Sequence, residues 1–165
     1  MKRAHRQNLL LLLGVLALLG VAGWQLQRDA RQDTGNLTAL DPATITRIRL
    51  TLPSAAPLNY EKRGDGHWWR VDGSPNRVSD DDRLNDITDI AAAHVLSWRP
   101  ISDFEPAKIG LAPPRSVLLL NGQKLEFGES SVTGPQHYVR VGERVALVSS
   151  RYMPRSPEIA ITVFR

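Results

Sequence analysis

The fifteen residues from Leu9 to Gly23 carry no charge and no strongly polar group: five successive leucines, Gly14, Val-Leu-Ala-Leu-Leu, Gly20 and Val-Ala-Gly. With Trp24 added, such a run forms a helix about 23 Å long, somewhat short of a hydrocarbon core of about 30 Å. Two readings follow from that length. As a secretory signal peptide, Lys2, Arg3 and Arg6 are the basic region, Leu9 to Leu19 the apolar region, and Gly20 to Gly23 a loose cleavage site. As an uncleaved anchor, residues 9–24 span the membrane and Trp24 sits in the far headgroup belt, followed by the helix-compatible Gln25-Leu-Gln-Arg-Asp-Ala-Arg-Gln32. Val21 and Gly23 match an A-x-A cleavage site poorly, which favours the anchor. A helix buried in a soluble core is the weaker alternative, because five leucines in a row leave no polar face for water.

The signal-peptide and anchor readings give one topology, since Lys and Arg are retained on the cytoplasmic side. Residues 1–8 are a basic cytoplasmic segment, 9–24 a single transmembrane signal-anchor, 25–41 a polar linker and 42–165 an extracytoplasmic domain. The partner implied by Leu9 to Trp24 is a membrane, in the bacterial case the inner membrane with the domain in the periplasm. A linker of about 17 residues reaches on the order of 20 Å as a flexible chain.

Charge supports this division. The chain has 21 Lys plus Arg against 17 Asp plus Glu, and three of the basic residues stand before the apolar run. The later ones, among them Arg47, Arg49, Lys62, Arg63, Arg140 and Arg144, are spread through strand-like runs, so no nucleic-acid footprint is built. The absence of cysteine removes disulfides, zinc-thiolate sites, thiol catalysis and lipoprotein acylation.

Beyond the linker the pattern is α+β: antiparallel β-hairpins forming a sheet packed by one main amphipathic helix. Ile48, Leu50 and Leu52 alternate with Arg47, Arg49 and Thr51, the period of a half-buried strand that Pro53 ends. Leu58 to Arg63 and His67 to Val71 flank the turn Gly64-Asp65-Gly66, so Trp68 and Trp69 point to opposite faces. One belongs to the core; the other is partly covered or free for a partner. Ser79-Asp80-Asp81-Asp82 caps a helix predicted to run to about Ser97, with Leu84, Ile87, Ile90, Ala91, Val95 and Trp98 on one arc and Asp82, Asp86 and Asp89 opposite. Ser116 to Leu120, Asn121-Gly122 and Gln123 to Phe127 form the clearest hairpin, because Asn-Gly suits a type I′ turn. A Gly and Ser loop at 128–135 precedes a further hairpin, His137 to Val141 and Arg144 to Val148, and Glu158 to Phe164 is a last strand.

The block Ile109-Gly110-Leu111-Ala112-Pro113-Pro114, with Gly128-Glu129 after a strand, Tyr138-Val-Arg140 and the upstream Gly66 to Trp69, resembles the bacterial family catalogued as domain of unknown function 4340. The resemblance covers about Ile45 to Ser150. It implies an N-terminal membrane segment and, for some members, association with ABC transporter components of the gliding-motility type. It implies no activity and no catalytic residue. This chain departs from longer members by stopping soon after Val148. Gly110, Leu111, Pro113 and Pro114, like Asn121 and Gly122, are assigned to chain geometry.

No pattern rises to a catalytic site. His67, His94 and His137 lack metal-ligand spacing, and His94 at the edge of the helix's apolar arc reads as a satisfied, partly buried side chain. The stripe Asp82, Asp86 and Asp89 reads as a solvated helix face rather than a cation site. Gly128 to Gly134 lacks both a phosphate-loop pattern and the context of a nucleophilic serine, and reads as a hairpin loop. Tyr60, Trp68, Trp69 and Tyr138 are the candidate partner-binding set, with core packing as the competing role. The sequence therefore predicts a non-enzymatic envelope domain without cofactor, metal or nucleic acid. Its partner is another envelope protein such as a transporter subunit. A carbohydrate- or peptide-binding domain is the second reading, and an envelope enzyme the third, recognisable by a His and carboxylate that meet in space.

Overall fold

The alternation of apolar and polar residues is realised as strands in the computed structural model, which describes residues 35–72, 77, 78 and 80–157. The apolar run at residues 9–24, the helix cap at Ser79 and the strand expected at Glu158 to Phe164 lie outside the described residues. Among the described residues no helix is long and apolar enough to cross a membrane.

Among the described residues nine strands are formed in chain order: β1 Arg47–Thr51, β2 Leu58–Lys62, β3 Trp68–Arg70, β4 Arg77–Val78, β5 Val95–Pro100, β6 Ser116–Leu120, β7 Gln123–Ser130, β8 Gln136–Val141 and β9 Arg144–Ser149. They make one antiparallel sheet in the order β4-β3-β2-β1-β6-β7-β8-β9-β5. Helix α1, Asp81–Asp89, and a 3-10 turn at Ile90–Ala92 lie between β4 and β5. The α+β expectation is met at this level, with strands far outnumbering helix.

Register decides which residues share a face. Ile48 is opposite Tyr60 and Leu120, and Leu50 is opposite Leu118. Leu125 faces Leu118, and Val139 faces both Phe127 and Ala146. These side chains are buried on one face and form one cluster with Leu84, Ile87, Ile90 and Ala91. The helix is therefore the lid of the inner face. Asp80 caps it, its side chain accepting from the Arg83 N–H at 3.3 Å. Asp81 and Asp82 place negative charge at its positive end.

The helix is shorter than expected. It ends at Asp89, and Val95 and Trp98, predicted on its arc, belong to β5 and pair with Val148 and Ala146 of β9. Val95-Leu-Ser-Trp98 is as apt for a strand as for a helical arc, and the open edge of β9 decides between them. The backbone turns away at Ala93, whose ψ is 127°. The linker boundary shifts for the same reason. Leu37, placed in the linker at 25–41, is 2% exposed in the core. Its N–H donates to Ala93 O at 2.9 Å, Val95 N–H to Gly35 O at 3.1 Å and Thr38 N–H to Ala91 O at 3.0 Å. Residues 35–41 thus belong to the domain and cover the start of the edge strand β5.

A second layer lies on the outer face. Between β5 and β6 the chain makes a 3-10 turn at Ile101–Asp103 and irregular turns to Arg115. Phe104 stacks edge-on against Tyr138, with ring centroids 5.7 Å apart. Leu111 and Val145 are buried but stand apart from the main cluster. This segment is clamped to β7, where Glu129 N–H donates to Ile109 O at 2.9 Å and Arg115 pairs with Glu129. The register of β7 on β8 slips by one residue between Phe127 and Ser130, a bulge that frees the Glu129 amide for that bond. Gly128 and Glu129 are therefore strand residues, not part of a loose Gly and Ser loop.

Candidate functional site

The chain covers only part of its outer face with its own second layer. Residues 101–115 reach Tyr138 of β8 and Glu129 of β7. On the other half, alternation along β3, β2, β1 and β6 directs Trp69, Val71, Asn59, Glu61, Arg47, Arg49, Val117 and Leu119 outward. A groove of about 450 Å³ runs over this half, with Arg47 and Arg49 in its centre, Asn59, Glu61 and Val71 on one side, and Leu119, Asn121 and Gly122 on the other.

Two rows cross it. Trp69, Glu61 and Arg47 are consecutive cross-strand partners, as are Asn59, Arg49 and Leu119. Arg49 Nε donates to Asn59 Oδ1 at 2.6 Å, which fixes its guanidinium. Among the described residues neither Arg47 nor Arg49 has a carboxylate within ion-pair distance. Farther along the face the charges are matched, because Glu126 pairs with Lys124 at 2.5 Å and with Arg140 at 3.7 Å.

The Asn121-Gly122 turn closes one end of the groove. Both residues have positive φ, 48° and 91°, as a type I′ turn requires. Asn121 Oδ1 accepts from the N–H groups of Thr46 and Arg47, each at 3.0 Å, and its Nδ2 donates to Thr44 O at 3.1 Å. The amide thus ties the hairpin to the chain entering β1.

The four aromatic candidates separate. Trp68 is 0% exposed and Tyr60 1%, both on the inner face. Trp69 and Tyr138 face outward, but four strands lie between β3 and β8, about 24 Å of sheet. Tyr138 is already half-covered by Phe104. Trp69 is the aromatic left at the open half. Arg63 stacks over its ring at 4.3 Å and its Nε1 donates to Asp65 Oδ2 at 3.1 Å. The four therefore do not surround a common pocket.

Gly110 takes the geometric role expected of it, whereas Gly128, read as part of a hairpin loop, is a strand residue in close contact with Ile109. Gly110 has φ +68°, and a Cβ there would stand 2.5 Å from Glu129 Cγ. The residues quoted together for their family likeness, Ile109 to Leu111 and Gly128-Glu129, meet in space as the clamp that holds the second layer. Leu111 is buried, and Leu111 bridges Pro114 across the turn that carries Pro113.

The histidines do not converge. His94 is exposed at the start of β5, bridged to Asn36, rather than partly buried against the helix. His137 Nε2 lies 3.4 Å from Ser130 Oγ, a long contact, and among the described residues its buried Nδ1 has no hydrogen-bond partner and no acid orients the ring as a base. No group of three or more His, Asp or Glu side chains placed to hold a metal occurs among the described residues, and Asp82, Asp86 and Asp89 are exposed along α1.

His67 does meet a carboxylate, which no spacing in the sequence announces. Its Nδ1 lies 2.6 Å from Asp81 Oδ2, while Asp81 Oδ1 accepts from the Trp68 N–H at 2.7 Å. The hydrogen bond to Asp81 raises the His67 pKa above 6.5. The Trp68 amide first, and His67 second, lower the Asp81 pKa below 3.8. His67 is exposed and Asp81 partly so, and the pair joins the β2–β3 hairpin to the first turn of α1.

Its contribution to stability has a defined window. His67's part is complete below pH 6.5 and is lost as pH rises through its raised pKa. Asp81's part is complete above pH 3.8 and is lost as pH falls through its lowered pKa. The link is fully formed between those two values. In an NMR titration His67 is expected to titrate above 6.5, and Asp81→Asn to bring it back toward that value; an unchanged midpoint in the variant contradicts the pairing.

Compared with protein-family models, with curated proteins and with solved structures, the chain finds no match.

Proposed function

We propose that this chain is a membrane-anchored, non-enzymatic envelope domain that docks a partner protein on the open half of its sheet. The observation that carries this reading is the division of the outer face. The chain's own residues 101–115 cover the Glu129 and Tyr138 part of β7 and β8, whereas the β2, β1 and β6 side presents Val71, Leu119 and, without an ion-pair partner among the described residues, Arg47 and Arg49 around a groove, with Trp69 beside Glu61 on the next strand. Half-buried apolar and aromatic side chains beside fixed cations are the composition of a recognition surface, because they concentrate binding energy when a partner excludes water from them.

The apolar run at residues 9–24 and the basic residues before it support an anchor in a bacterial inner membrane with the domain in the periplasm. A tether of that kind keeps the partner near the bilayer. The family resemblance points to a subunit of a membrane transporter, for which this domain acts as an auxiliary.

Topology is tested by fusing after Arg165 an enzyme active only outside the cytoplasm. Activity of that fusion is expected, and replacing Lys2, Arg3 and Arg6 with acidic residues weakens or inverts insertion. Activity of a cytoplasmic reporter alone overturns the assignment. Docking is tested by Trp69→Ala, which lowers the thermal midpoint by only about 4 °C, leaves the domain folded and reduces crosslinking to the partner in native membranes. Retention of the crosslink removes Trp69 from the surface.

A further inference from the structure

Within the docking reading just given, on which this rests, we infer that the segment seated in the groove is extended and acidic, with carboxylates at alternate positions. Arg47 and Arg49 are two residues apart on β1, both exposed on the same face. Their Cα atoms are separated by about 6.8 Å, the rise of two strand residues. An extended peptide repeats its side chains on one face at that same spacing, so carboxylates at i and i+2 register with the two guanidinium groups.

The chemistry at each position fits. Asn59 Oδ1 takes the Nε proton of Arg49, and no protein partner is recorded for its two terminal nitrogens among the described residues. These can receive a carboxylate end-on in a two-pronged, charge-assisted contact. Leu119 and Val71 border the same groove and offer apolar contact beside the two arginines. Elsewhere on the face the cations Lys124 and Arg140 are matched by Glu126, so the demand for negative charge is confined to one row of β1. A bilayer of anionic headgroups is disfavoured by the same pattern. Glu61 stands next to Arg47 and would repel a uniformly negative surface, whereas a segment with spaced carboxylates can place a neutral residue opposite it.

The test uses the full chain in zwitterionic detergent micelles and two blocked heptapeptides of equal charge. One alternates glutamate with threonine; the other has its glutamates adjacent. The alternating peptide is expected to bind several-fold more tightly, with amide shifts centred on β1 and β6. Arg47→Ala and Arg49→Ala each weaken it about tenfold, the loss of one charge-assisted contact. Arg49→Lys, which keeps the charge and loses the fork, is expected to fall between. Circular dichroism checks that each variant is folded, as exposed positions lead one to expect.

Equal affinity for the two peptides, or indifference to the arginine substitutions, overturns the inference. So does arginine-dependent binding to phosphatidylglycerol vesicles without peptide binding, which assigns the row to lipid headgroups. If Trp69→Ala abolishes the native-membrane crosslink while both arginine variants retain it, the docking surface stands and the acidic segment falls. Loss with neither Trp69→Ala nor the arginine variants removes both.

Discussion

Replacing Trp68 with alanine is expected to cost about 4 kcal/mol of stability, the range for emptying the space of a buried aromatic side chain. The indole is fully buried, its Nε1 donates to Asn85 Oδ1 at 3.1 Å, and Lys62 Nζ lies 5.7 Å from its ring. Trp68 thus sits under α1 and joins the helix to the β3 end of the sheet. Truncation leaves both a cavity and the Asn85 oxygen without its donor. A domain of this size has only about 5–15 kcal/mol in total, so the variant stands close to unfolding at ordinary temperature. The neighbouring Trp69→Ala is expected to cost about 1 kcal/mol, chiefly the stacking of Arg63. Urea unfolding followed by circular dichroism separates the two, with a lowered midpoint and unchanged slope for Trp68→Ala. Equal losses would mean that both rings are core.

The second large effect is expected at Gly128. A Cβ at that position would stand 2.2 Å from the carbonyl oxygen of Ile109 and 3.2 Å from Leu111 Cγ. The first obstacle is backbone and cannot rotate aside. It is also the oxygen that accepts from Glu129 N–H. Gly128→Ala must therefore push residues 101–115 away from β7, at a cost of about 3 kcal/mol. Gly122→Ala is the internal comparison, because nothing lies within 4 Å of its Cβ and only φ +91° opposes the substitution; it costs about 1–2 kcal/mol. A Gly128→Ala variant as stable as the parent would contradict the clamp. Hydrogen exchange adds a spatial check, since amides of 104–115 should lose protection before those of β1 and β6.

These cases show which parts of the fold could be read from residues alone. The Asn121-Gly122 hairpin was legible because the backbone demand is local: two adjacent residues that tolerate positive φ, flanked by β-prone runs. The opposite orientation of Trp68 and Trp69 followed from strand periodicity. Which of them is core did not follow, since that depends on where α1 lands, and Asp81 and Asn85 are 13 and 17 residues away from Trp68. The end of α1 was misplaced at Ser97 because Val95 and Trp98 continue an apolar arc and also suit a strand. Pairing with Val148 and Ala146, about fifty residues later, settles that choice and leaves no local trace. Leu37 joined the core from a polar stretch for a similar reason, as its backbone partner is Ala93.

The candidate site was legible in pieces. Arg47 and Arg49 were visible as the polar phase of β1, but spread charge could not be assigned to a surface until register put Glu61, Asn59 and Leu119 beside them. Tyr60 and Tyr138 were grouped with the tryptophans by residue type; alternation along β2 turns Tyr60 into the core, and the sheet order puts Tyr138 five strands away from Trp69. The His67–Asp81 contact bridges a hairpin and a helix and had no signal in spacing. Gly110 and Gly128 are 18 residues apart, and their meeting at the clamp depends on where residues 101–115 fold back onto β7, which no local pattern shows.

The measurement that bears most directly on the docking surface is site-specific photocrosslinking in native membranes, with the probe placed at one position at a time. Asn59 and Leu119 report on the open half of the outer face, Asp86 on the exposed side of α1, and Lys108 on the self-covered half. The expected result is one partner band from the probes at Asn59 and Leu119, lost on Trp69→Ala, and no such band from Asp86 or Lys108. A band from Asp86 or Lys108 with none from Asn59 and Leu119 would contradict the assignment of the open half as the docking surface.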